Sequence, residues 1–203
     1  MHLLRPAGAM NLGELLLGLG SILGGARIVR SALGNGPDLR QSTSALRNAL
    51  DRTPRGRRAP HSKILNVRTI DQRVAHIVKA AKRGSTDPNI RMLTARLVSQ
   101  KCGRQWCIRE RDYAGEVKAV FAAVRRHVRY VRDPATEDLF QDPFRIFQSG
   151  AADCDDFSIV LGSMLMSIGY PVKMRVIRSV SASDWNHIYL LVGMPPGKPT
   201  RWV

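Results

Sequence analysis

The chain has 203 residues, 44% of them hydrophobic, and a net charge of +16. That length allows one ordinary domain plus an extension with a sizeable core, and the apolar share is that of a globular protein rather than a disordered polymer. Three cysteines are an odd number with no small-scaffold spacing, which argues against a disulfide framework and for folding in a reducing cytoplasm.

The charge is uneven. Residues 1–68 hold 11 Lys/Arg against 3 Asp/Glu, residues 69–132 hold 15 against 5, and residues 133–203 hold 6 against 8. An anionic partner met by the N-terminal portion follows, whether nucleic acid, anionic lipid, cell-wall polymer or acidic protein. Residues 10–33 are apolar and glycine-rich, but the strongest run, Leu12 to Leu23, already contains Glu14 and is short for a span of about 20 apolar residues. A helix docking on a partner subunit, a membrane-active segment and a removed leader are the open readings. Gly20 and Gly24 give it a small-xxx-small pattern for close helix approach. A short helix is expected over 38–50. The stretch 51–63 (DRTPRGRRAPHSK) reads as an extended basic linker. Arg52, Arg55, Arg57, Arg58 and Lys63 there offer phosphate-only contact to nucleic acid or another anionic surface, with no aromatic for base stacking.

From Thr69 the pattern is helical. Thr69 and Gln72 form a capping box ahead of Val74, Ile77, Val78 and Ala81, and Gly84 is the expected stop. Asp87-Pro88 starts a second helix striped by Ile90, Leu93 and Leu97. Residues 101–112 read as an irregular basic loop, with Trp106 as a packing residue or lid. Cys102 and Cys107 lack a second pair for a metal, leaving a local disulfide or partly buried thiols. Residues 113–130 form an amphipathic helix whose outer face carries Lys118, Arg125, Arg126 and Arg129, a solvated face or a positive ridge. His127 is expected at the surface. Residues 133–143 form an acidic loop.

The stretch Gly150-Ala151-Ala152-Asp153-Cys154-Asp155-Asp156-Phe157-Ser158 places a cysteine in the first turn of a helix. Phe157, Val160, Leu161, Met164, Leu165 and Ile168 recur behind it at helical spacing, Asp153 is the N-cap, and Gly169 with Pro171 is the stop. Unpaired N–H groups and the macrodipole at a helix start favour a thiolate. Asp155 and Asp156 pull the other way and read as first-turn caps. Residues 172–179 and 187–192 read as neighbouring antiparallel strands, with His187 opening the second. Pro195-Pro196-Gly197 turns into a third strand at Arg201-Trp202-Val203. A cysteine on a helix start with a histidine on a later strand is the layout of a papain-like nucleophile and base.

These residues, GAADCDDFSIVLGSMLMSIGYPVKMRVI, then WNHIYLLV, then RWV, resemble the transglutaminase-like superfamily, in the version found in tailed bacteriophages and prophages. The resemblance covers residues 70–203. It implies an α+β fold: helices over 69–168 packed on a small C-terminal antiparallel sheet, preceded by a basic extension. Residues 1–63 form the partner-docking arm and 64–203 the domain. It implies Cys154 as nucleophile, His187 as base and the Cys154 N–H as an oxyanion donor, with no cofactor and no metal. The acidic triad member of that family sits just beyond the Trp-Val strand, so here it either lies beyond Val203 or is missing, since Asp184 is too near His187 to take that role. The activity expected is hydrolysis or acyl transfer at an amide of a protein or peptidoglycan peptide, in a protein made in the bacterial cytoplasm and incorporated in a virion. The competing expectation is a catalytically degenerate fold serving as an assembly component, docked to other virion subunits through residues 1–63.

Overall fold

Caps and turn residues set where the elements of the computed structural model begin. Residues 62–64, 69–133, 139–178 and 185–203 are described, all within one unit. The expectations for residues 10–33, 38–50 and most of the linker 51–63 lie outside the described residues. Strand β1 is Ser62–Ile64, so the far end of that linker is strand.

Helix α1 (Ile70–Ser85) starts where Thr69 Oγ1 accepts the Gln72 N–H at 3.3 Å. Gly84 does not end it. It lies on the buried face, where a Cβ would land on Ser163 Oγ and Pro143 Cγ, so close approach rather than termination calls for glycine. Helix α2 (Pro88–Val98) is capped by Asp87 Oδ1, which accepts from Asn89 N at 2.7 Å and Ile90 N at 3.2 Å. Its predicted stripe, Ile90, Leu93 and Leu97, is buried.

The expected loop after α2 is a hairpin of β2 (Lys101–Cys102) and β3 (Gln105–Trp106), closed by a Cys102–Cys107 disulfide. Of the two readings open for that pair, a local disulfide or partly buried thiols, the bridge is the one found. Trp106 is not a packing residue: it is 54% exposed, with Lys101 Nζ 4.8 Å above its ring.

Helix α3 (Tyr113–His127) is shorter than its periodicity suggests. Val128 is extended, and Arg129–Tyr130 is strand β4. The reason is a competing partner: Arg129 N–H donates to Gly150 O and Val131 N–H to Ala152 O, both at 2.9 Å. The β-branched Val128 loses little by leaving the helix. Strand β5 (Leu139–Gln141) pairs antiparallel with β1, Leu139 opposite Ile64. Helix α4 (Pro143–Ser149), absent from the periodicity reading, ends at Gly150 with φ 65°. Strand β6 (Ala151–Ala152) is the parallel partner of β4.

Helix α5 (Cys154–Ser167) follows, then β7 (Val172–Ile177), β8 (His187–Met194) and β9 (Arg201–Trp202), an antiparallel sheet in the order β7-β8-β9. The chain is thus a mixed helix-and-strand protein with small sheets. Helix α5 packs against α1, α2, α3, α4, β7 and β8. Its Ile159, Val160, Met164 and Leu165 are each at most 2% exposed. At about 1.5–3 kcal/mol per buried side chain, those four rival a domain's whole net stability.

Candidate active site

Cys154 is the first residue of α5, and Asp153 caps the helix by accepting the Asp156 N–H at Oδ1, 3.0 Å away. Two polar groups act on the half-buried thiol, and a third group reaches one of them. The S–H is turned to Asp155 Oδ1 at 3.5 Å. The Ile188 N–H on β8 favours the sulfur's anion. Arg73 on α1 reaches Asp155 Oδ2 at 3.6 Å.

The helix start does not produce a low thiol pKa. Burial first, then the Asp153 and Asp155 carboxylates, push Cys154 up to about 12, against the pull of the Ile188 amide. The macrodipole is worth about 0.3–1 kcal/mol at such a terminus, less than desolvation plus two adjacent like charges. The carboxylates feel one another as well. Burial and then Asp155 raise Asp153 to about 7, and burial raises Asp156 to about 7 despite two hydrogen bonds.

Those two bonds give Asp156 a role other than the expected first-turn cap; Asp155 and Asp156 are both buried. Asp156, 1% exposed, accepts Gln141 N at 2.9 Å and Gln141 Nε2 at 2.7 Å. Gln141 Nε2 also donates to Ala151 O at 3.0 Å, and Ser149 Oγ donates to Gln141 Oε1 at 3.0 Å. One glutamine on β5 therefore ties together α4, β6 and the first turn of α5. Asp153, Cys154 and Asp155 bring one potential metal ligand each within 4.8 Å of one another. Arg73 already supplies a cation to the Asp155 member of that set.

His187 opens β8 opposite Ile177. Its ring stacks on Tyr189, centroids 6.4 Å apart, and burial lowers its pKa, which keeps the imidazole neutral. Ile188, the next residue, is buried in a cluster with Ile77, Ala80, Phe140 and Ile159, against which Cys154 packs. The thiol thus meets β8 at the residue that follows His187. Among the described residues no hydrogen bond joins thiol to imidazole. Asp184 and residues 134–138 of the acidic loop lie outside the described residues.

Tyr130 was not visible as a site residue. The β4–β6 register sets it opposite Ala152, its ring lies 6.2 Å from Phe157, and 51% of it is exposed. Burial of its hydroxyl, then the proximity of Cys154 and Asp153, raises its pKa, while the positive charge of Arg132 opposes the shift. The signal that could have found it is the end of a helical period just where a second strand, Ala151–Ala152, becomes available.

A cysteine at a helix start, packed against a strand that a histidine opens, is the layout the sequence resemblance implied. Residues 104–203 match the transglutaminase-like superfamily. The matched span contains Cys154, His187, Tyr130 and Gln141. Comparison with curated proteins and with solved structures gave no match. Among the described residues no helix is long and apolar enough to cross a membrane.

Proposed function

We propose that the transglutaminase-like segment is a thiol-dependent amide hydrolase or acyltransferase, with Cys154 as nucleophile and His187 as base. The observation that carries this reading is the packing of Cys154 against the cluster that holds Ile188, which puts the thiol beside the residue adjoining His187 on β8. His187 takes the thiol proton, and sulfur attacks the carbonyl carbon of a protein or peptidoglycan peptide. The Cys154 N–H holds the oxyanion. Collapse expels the amine with the proton from His187, and water or a second amine then cleaves the thioester. A neutral, partly buried imidazole suits the first proton transfer, and catalytic hydrogen bonds often close only with substrate bound. The setting is a phage particle.

One observation favours a second reading. A thiol raised to about 12, beside carboxylates, suits a degenerate fold retained as an assembly part, docked to other virion subunits through residues 1–63. Incubating the full chain with peptidoglycan and with a peptide library, and scoring new amines by mass spectrometry, separates the two. The first reading expects cleavage or amine exchange that disappears in Cys154→Ala and in His187→Ala. No turnover in the wild-type chain, with retained particle association, gives the second.

A further inference from the structure

We propose that the outer face of α3, continued by β4, is a binding surface for a nucleic-acid strand. Its phosphates are met by Lys118, Arg125, Arg126 and Arg129, and a base face by Phe121. All five side chains are exposed. Lys118, Phe121 and Arg125 share one strip of the helix, at steps of three and four residues, and Arg126 flanks it. The rise of about 1.5 Å per residue makes the Lys118-to-Arg125 strip about 10 Å long, and Arg129 is exposed on β4, two residues past the helix end.

The strip is of one sign. The acid within α3, Glu116, is turned inward, where its Oε2 accepts the Tyr170 hydroxyl at 2.5 Å. Among the described residues none of the four cations has an ion pair. A merely solvated helix face intersperses both signs and leaves aromatics inside. Here Phe121 is 48% exposed, and the Arg125 guanidinium lies 5.9 Å from its ring centroid. Cations along a line with an aromatic among them are what a flexible phosphate polymer needs, charge for its backbone and a flat face for a base. A membrane surface would need a broad apolar face. The apolar face of α3 is instead buried against α2 and α5, leaving Phe121 as its exposed large apolar residue. This surface is independent of the thiol chemistry and of the basic stretch 52–63.

The test is fluorescence anisotropy of a labelled 20-nucleotide oligothymidylate with the full chain, over salt from about 50 to 200 mM. The expected result is salt-sensitive binding. In the variant Lys118→Ala/Arg125→Ala/Arg126→Ala/Arg129→Ala the slope of log K against log salt flattens by about 0.7 per cation, close to 3 for four. Phe121→Leu weakens binding several-fold and leaves that slope unchanged. Circular dichroism melts confirm that the surface variants stay folded. Arg55→Ala/Arg57→Ala/Arg58→Ala, made in parallel, isolates what the arm contributes. The proposal is overturned if the quadruple variant keeps the wild-type slope and affinity, if the wild type fails to bind the oligonucleotide, or if it prefers vesicles containing phosphatidylserine.

Discussion

Replacing Asp155 with asparagine tests the electrostatic account of the thiol. The carboxylate oxygen lies 3.5 Å from Cys154 Sγ, so at an effective dielectric constant of about 20 the repulsion between carboxylate and thiolate is about 4–5 kcal/mol. Solvent at the half-exposed sulfur reduces that by roughly half, to about 2 kcal/mol, which is between one and two pKa units. The neutral amide is also a weaker acceptor for the S–H, which removes a bond that favours the protonated thiol. Every contribution has the same sign. The assay is the pH dependence of iodoacetamide alkylation without reductant. With Cys102 and Cys107 bridged, Cys154 is the only thiol that reacts. Wild type should alkylate slowly at neutral pH and accelerate into strongly alkaline solution, while Asp155→Asn shifts the profile down by one to two units. A variant profile coincident with wild type, or a wild-type midpoint near neutrality, would refute the reasoning.

Other expectations concern the scaffold. Asp153 and Asp156 are raised to about 7 from 3.8, so the folded chain binds more protons than the unfolded one between roughly pH 4 and 7. Stability is therefore highest below pH 4 on this account and falls as pH rises through 7. The urea midpoint should drop across that window, and Asp156→Asn should flatten the drop; a steeper drop in the variant contradicts the assignment. Gly84→Ala should destabilise by about 1–3 kcal/mol in urea unfolding, because the new methyl meets Ser163 and Pro143. An unchanged midpoint would mean that α1 and α5 can part at no cost. Met164→Ala empties a fully buried site in the larger core cluster and should cost about 2–5 kcal/mol, read the same way.

The elements that were legible in the sequence carry their own start and stop signals. Thr69, Asp87 and Asp153 each cap a helix with their own side chain, and the alternation from Val172 onward survives as β7 and β8. What was misread involves partners distant in sequence. Gly84 looks like a stop until Ser163 is placed against it. Arg129 and Tyr130 continue the helical period, yet join Gly150 and Ala152, a pairing no local pattern encodes. The same holds at the site. Cys154 and its helix were readable, but the thiol's pKa depends on burial and on where Asp153 and Asp155 point, and Gln141 lies 15 residues from the carboxylate it clamps. Periodicity reports which face is apolar; it says nothing about how deep a charge is buried.

The short parallel ladder between β4 and β6 has one more consequence. It is built from main-chain groups, so side-chain replacement on either strand leaves it standing, and Asp153 follows Ala152 directly. A force applied to the end of α3 therefore arrives at the sulfur's helix through two amide hydrogens and a single intervening peptide, with no hinge to absorb it. Whatever grips one end of that lever sets the attitude of the other.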